Sequence, residues 1–245
     1  MYSNGYIFRY AAIMVIVAAA LLSTAAMLLK PFQERNVAID KMGGILASAD
    51  IPDITAENAI QLFNEYVKEE IVINQDGDVV ESYTKAKKED AKAFKLDLKA
   101  ELYKKTKGLP YELPLYVIEK NSQTLYVVPL RGVGLWGPIW GNMALNDDLN
   151  TIVGVTFDHK GETPGLGAEI IMDFFTNQFV GKKIFDDKGG FKSIKVVKGG
   201  IGTLPDSEKI HGVDAISGGT ITSNGVNDML HDVLESYLPY LKKHR

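Results

Sequence analysis

Ala11 to Leu29, AAIMVIVAAALLSTAAMLL, is a run of 19 residues without a charged side chain. Wound as a helix it extends roughly 28 Å, close to the hydrocarbon thickness of a bilayer. Tyr6, Arg9 and Tyr10 stand at one end and Lys30-Pro31 at the other, residue types suited to the two interfaces. A cleaved signal peptide is the alternative, because Ser23-Thr24-Ala25-Ala26 offers small residues. Signal cores are shorter, however, and Met27-Leu28-Leu29 carry the apolar run past any such cut. An uncleaved single span over residues 1–30 is therefore expected. It holds no Asp, Glu or His, so it reads as an anchor and not as an ion pathway. Arg9 lies on one side and Lys30, Arg35 and Lys41 on the other, a bias that by itself favours a cytoplasmic carboxyl side.

Beyond the span lie 26 basic and 31 acidic residues, a formal charge of −5, which gives no electrostatic footprint for nucleic acid. The chain has no cysteine. That excludes disulfides, thiolate nucleophiles, cysteine-ligated iron–sulfur clusters and cysteinyl-linked cofactors, while leaving the compartment undetermined. His159, His211, His231 and His244 are scattered without a partner at ligand spacing, so no metal site is predicted. Gly132-x-Gly134 continues as Leu135-Trp136-Gly137 and departs from the dinucleotide-binding fingerprint.

From Pro31 to Asp50 the pattern is amphipathic but broken by Gly43-Gly44, which suggests a juxtamembrane helix leading into the domain. Asp53 or Thr55 can cap a helix reaching about Glu70, with Ile60, Phe63 and Val67 at helical spacing. Ile71 to Tyr83 reads as a hairpin around Asp76-Gly77-Asp78, a pair that lacks the further ligands of a calcium loop. Residues 85–107 form a charged helix or loop. Strands are expected at Leu115–Glu119 and Thr124–Leu130, turning at Asn121-Ser122, and at Trp140–Leu145, Ile152–His159 and Ile194–Val197. An amphipathic helix is expected from about Ala168 to Phe179, and another from Gly225 to Leu241 with Met229, Leu230, Val233, Leu234 and Tyr237 on one face. Strands and helices mix without regular alternation, so the fold class is α+β.

The segment Asp214-Ala215-Ile216-Ser217-Gly218-Gly219-Thr220-Ile221-Thr222-Ser223 carries the chemistry. Two glycines permit close approach of backbone to a ligand, four hydroxyls supply donors, and a helix follows whose amino terminus favours an anion such as phosphate. A Ser/Thr-rich turn that merely caps the last helix is the plainer alternative. Asp214-x-x-Ser217-Gly218-Gly219-Thr220 resembles the flavinylation motif, Asp-x-x-Ser/Thr-Gly-Ala-Thr, of the covalent FMN-binding domain family, with Gly219 where alanine is usual. Gly134-Leu135-Trp136 and Gly161-Glu162-Thr163-Pro164-Gly165-Leu166-Gly167 are similar to flavin-pocket segments of the C subunits of sodium-translocating NADH:quinone reductases. The G subunits of Rnf electron-transport complexes share the 214–220 motif and the Glu-Thr-Pro-Gly-Leu-Gly loop.

This resemblance implies one FMN-binding domain of mixed strands and helices at 111–245, preceded by the anchor (1–30) and an amino-terminal part of the soluble domain (31–110). It implies FMN joined by a phosphoester to Thr220, installed from FAD by a Mg-dependent flavin transferase of the ApbE type. Ser217, Gly218, Gly219, Asp214 and Thr222 would surround the attachment, with Asp214 either serving the transferase or capping the helix. Leu135 and Trp136 would offer a flat apolar surface to the isoalloxazine ring, although Trp136 alone would more often be core. Glu162, Thr163, Gly165, Leu166 and Gly167 would meet the ring edge or ribityl chain. Thr222 and Ser223 suit caps for a helix starting near Gly225. The chain would then be an electron-carrier subunit of a sodium-pumping NADH:quinone oxidoreductase in the bacterial inner membrane, its flavin domain periplasmic. It would take electrons from an iron centre in membrane subunits and pass them to the next flavin. An Rnf-type G subunit, or a flavin-free structural subunit, is the alternative.

Overall fold

The computed structural model of the chain describes residues 3–245 and divides into two compact units, one reaching Lys41 and one from Met42 to Arg245. Helix α1 runs from Asn4 to Ser48. From Ala11 to Leu29 its side chains carry no charge and are almost all apolar, and none of the most hydrophobic stretch is buried against protein. A helix with no polar face has no side to turn to water. One amino-terminal helix, long and apolar enough to cross a membrane, fits single-pass anchoring.

The second unit is built on a six-stranded antiparallel sheet in the order β2-β1-β3-β4-β5-β6. The strands are β1 (Val67–Asn74), β2 (Val79–Tyr83), β3 (Glu112–Lys120), β4 (Gln123–Val133), β5 (Pro138–Leu145) and β6 (Ile152–His159). A parallel pair, β7 (Lys195–Val197) and β8 (Gly212–Asp214), stands apart. Alternate residues of each strand face opposite sides, and here both sides are covered. Leu113, Leu115, Val128, Leu130, Met143 and Phe157 join the core built with helix α6 (Thr220–His244), whose Val226, Met229, Leu230, Val233, Leu234 and Tyr237 are buried. The Tyr237 hydroxyl donates to the Pro114 carbonyl at 2.6 Å, tying α6 to β3. Tyr116 points to the other side, where its ring meets Phe63 of α2 (Ala59–Tyr66). Phe94 of the single-turn α3 (Lys92–Lys95) packs on Phe63 in turn. Helix α4 (Leu98–Thr106) is capped by Asp97 and bonds to α6 through Lys105.

Four elements differ from the sequence expectation. Gly43-Gly44 does not break α1, because Gly44 serves a close approach: a Cβ there would come within 3.0 Å of the Asn142 amide on β5. The Thr156 hydroxyl bonds the Gly44 carbonyl, and Gly154 makes room for the Ser48 carbonyl. Helix α2 stops at Tyr66, since Val67 to Glu70 are claimed by pairing with β2 and β3. No single helix fills 168–179. Two 3₁₀ turns flank the one-turn α5 (Asp173–Thr176), with Met172 extended between them. Buried Phe175 and Phe179 both pack on Phe157, with centroids 5.4–5.8 Å apart, and this cluster overrides helical periodicity. Helix α6 begins at Thr220 and not near Gly225, so Thr222 and Ser223 lie inside its first turn and are not its caps.

Candidate flavin site

Three glycine-bearing loops converge. The first joins β4 to β5, where the Gly134 N–H closes a tight turn on the Gly137 carbonyl at 2.8 Å. The second follows β6, with Pro164-Gly165 in the middle of a turn closed by the Leu166 N–H on the Thr163 carbonyl. Gly165 has φ +76°, the value that the third position of a type II turn requires and that Pro-Gly suits. The third runs from β8 into α6: the Gly219 N–H bonds the Ile216 carbonyl, and Gly218 takes φ +76°. A Cβ at Gly134 or Gly167 would lie 2.5 Å from a Glu162 carboxylate oxygen, and one at Gly225 would strike the Val133 carbonyl. Only glycine allows the loops to come this close.

Side chains lock the loops together. Trp136 donates its main-chain N–H to Glu162 Oε1 (2.8 Å) and its indole N–H to the Thr163 hydroxyl (3.1 Å). The Thr222 hydroxyl donates to Glu162 Oε2 at 2.6 Å. The Ile216 N–H donates to the buried Ser223 hydroxyl, fixing the last turn before α6. Leu166 lies against Gly218 and Gly219; its carbonyl sits 3.2 Å from where a Gly219 Cβ would be. Alanine at 219 would therefore fit only tightly in this loop.

Thr220 is the first residue of α6, half-buried, and no side chain caps the helix there. The amide N–H groups of the first turn are thus available to an anion, with the helix dipole adding to them. The converging loops and the start of α6 carry exposed apolar side chains: Leu135 is 48% and Trp136 67% exposed, and Leu166 and Ile221 are also open. Trp136 is not a core residue. The donor set and the flat apolar surface are what a phosphate joined to an aromatic ring system needs, so the residues present fit FMN.

Of the residues singled out in the sequence, Leu135, Trp136, Glu162, Thr163, Gly165, Leu166, Gly167, Gly218, Gly219, Thr220 and Thr222 belong to these three loops. Ser217 is exposed in the same turn as Gly218. Asp214 turns elsewhere: its carboxylate accepts the Ile201 N–H at 2.6 Å, capping the 3₁₀ turn Ile201–Thr203 and not α6. Glu162 directs both oxygens into the protein, although it was expected to meet the ring edge or ribityl chain. Sequence reasoning missed Ser223 and Gly225 as braces. The buried stripe of α6, extended one turn upstream from Val226, reaches Thr222 and Ser223 and was the available signal.

The family described as FMN-binding domain matches residues 134–235. The chain is 35% identical over 228 residues to the C subunit of the Na(+)-translocating NADH-quinone reductase of Vibrio campbellii, covering 86% of this chain and 83% of that protein. It is 32% identical to the same protein of Pseudomonas aeruginosa, covering 95% and 94%. The crystal structure of the C subunit from Parabacteroides distasonis is similar with a TM-score of 0.74 and 39% identity, covering 87% of this chain and 96% of that one.

Proposed function

This chain belongs to the family of the C subunits of Na(+)-translocating NADH-quinone reductases, and on that premise we propose that it is a membrane-anchored flavoprotein with FMN joined covalently to Thr220. It relays electrons inside a sodium-pumping NADH:quinone oxidoreductase and is not catalytic alone. The observation that carries this reading is the uncapped amino terminus of α6 at Thr220, set among exposed Trp136, Leu135 and Leu166 within the segment that matches the FMN-binding domain family.

Bound FMN supplies the redox chemistry, accepting and donating electrons. The protein's part is to hold it. The Thr220 oxygen bears the phosphoester, and the first-turn amides of α6 solvate its charge. Gly218 and Gly219 keep the approach to that oxygen open. Leu135 and Trp136 lie against the ring, and Thr163, Gly165, Leu166 and Gly167 border it. Ser217, exposed near the attachment point, is presented to the flavin transferase of the ApbE type that installs the cofactor, and Asp214 helps present the motif by holding the Ile201–Thr203 turn beside it. Lipid surrounds the span at 11–29 in the bacterial inner membrane, and the flavin domain stands on the periplasmic side. Partner subunits deliver electrons from an iron centre and take them to the next flavin.

Intact mass of the chain made with an active flavin transferase tests the reading. The parent should carry one FMN, shown also by in-gel flavin fluorescence after denaturation, and Thr220→Ala should carry none. Flavin retained on Thr220→Ala and lost from Thr222→Ala reverses the assignment. A parent free of flavin leaves a purely structural role.

A further inference from the structure

Resting on the flavin reading, we infer that Glu162 is a positioning residue, a two-point clamp that sets Trp136 relative to the first turn of α6. Glu162 is 5% exposed, and each of its carboxylate oxygens holds a different element, one the β4–β5 loop and one the first turn of α6. Oε1 takes the Trp136 main-chain N–H at 2.8 Å, and Oε2 takes the Thr222 hydroxyl at 2.6 Å. Its own N–H is pinned by His159 Nδ1 at 3.1 Å. A buried carboxylate is costly without donors, and here the donors come from the loops that must be aligned. Thr222 lies in the first turn of α6, where the helix dipole further favours an anion. Gly134 and Gly167 complete the arrangement, since a Cβ at either would push into the carboxylate. Apolar packing could fill the same space. It could not accept two hydrogen bonds from two loops at a fixed angle. Thr220 precedes Thr222 by two residues in the same turn, so the clamp also fixes the attachment point relative to the Trp136 ring.

Two readouts on the full chain in detergent micelles test this. In unflavinylated chains with Trp140→Phe, fluorescence anisotropy reports Trp136 alone. E162A should lower it, because both bonds are lost. E162Q should restore it, because the amide can accept from Trp136 with its oxygen and donate to Thr222 with its nitrogen. In flavinylated chains, E162A should keep covalent FMN by mass but lose visible circular dichroism several-fold and gain iodide quenching several-fold, with E162Q near the parent. T222V, which removes one bond, should fall between and add little on top of E162A. Folded E162A matching the parent in both readouts overturns the inference. So does E162Q behaving as E162A, which would assign the effect to charge and not to the clamp. If E162A does not fold, T222V and E162Q decide: T222V indistinguishable from the parent overturns the inference. A parent without covalent FMN sinks the Thr220 reading, while the Trp136 anisotropy still judges Glu162.

Discussion

Trp136 is held at two points, by its main-chain N–H and its indole N–H, while its ring face stays open. Truncating it should therefore cost well under the roughly 3–5 kcal/mol of a buried aromatic. Trp136→Ala is expected to fold and keep covalent FMN yet change its absorbance and reduction potential. An unchanged spectrum in a folded variant would remove Trp136 from the ring pocket. Thr222 was expected to act as a helix cap and instead bonds a buried carboxylate. Hydrogen bonds to charged groups contribute about 1.5–3 kcal/mol, so Thr222→Ala should lose that much stability in urea titration while keeping its flavin. Gly218 shows the opposite logic. Its φ of +76° disfavours any residue with a Cβ, which would also push the Leu166 side chain aside. That much was legible from the Gly-Gly pair, whereas the Thr222–Glu162 bond joins residues 60 apart in sequence and left no local trace.

Strand pairing and helix seating decide the elements. The β3–β4 hairpin was readable because Asn121 and Ser122 both take positive φ in a two-residue turn, and Asn favours that conformation. β6 matches its expected bounds because Val153, Val155 and Phe157 alternate with Gly154, Thr156 and Asp158 after the Asn-Asp turn. The end of α1 was not readable, since Gly43-Gly44 looks like a break when the sheet it touches is unknown. Gly154→Val should push on the Ser48 carbonyl and cost about 1–3 kcal/mol as overpacking, seen as a lower urea midpoint for the full chain in micelles. At the other face the Lys105 ammonium, hydrogen-bonded to Glu235, holds that carboxyl below the usual range. A folded value lowered in this way adds stability above the ordinary glutamate range and loses it as pH falls through the folded value. Glu235 is half exposed, so the contribution belongs at the low end of the roughly 0.2–1 kcal/mol of surface pairs. Lys105→Met should flatten the acid limb of the stability–pH curve, and an unchanged limb would show that the pair contributes nothing.

For the whole molecule, the unburied apolar helix of the first unit fits single-pass membrane anchoring. A chain lacking the first 30 residues is expected in the soluble fraction, with the parent in the membrane fraction. Membrane retention of the shortened chain would assign anchoring elsewhere. The proposed periplasmic placement runs against the charge bias of Arg9 versus Lys30, Arg35 and Lys41. Alkaline phosphatase fused after Arg245 should be active, and a reporter that works only in the cytoplasm should be silent; the reverse pattern overturns the orientation.

The sequence by itself determined what is local or compositional. The uncharged run marks the apolar helix, alternation marks the central strands, Pro164-Gly165 marks its turn, and the Asp-x-x-Ser-Gly-Gly-Thr segment marks the proposed attachment threonine. Each of these signals is contiguous in sequence, because hydropathy, φ preference and motif chemistry act along neighbouring residues. Tertiary structure decided where α1 and α2 stop, why 168–179 is not one helix, and which way Asp214 and Glu162 turn. Those outcomes depend on partners far along the chain: Asn142 and Thr156 for Gly44, Phe157 for Phe175 and Phe179, Ile201 for Asp214, Trp136 and Thr222 for Glu162. A carboxylate in sequence has two acceptor oxygens and no direction. Only the packed loops supply the donors that turn Glu162 inward.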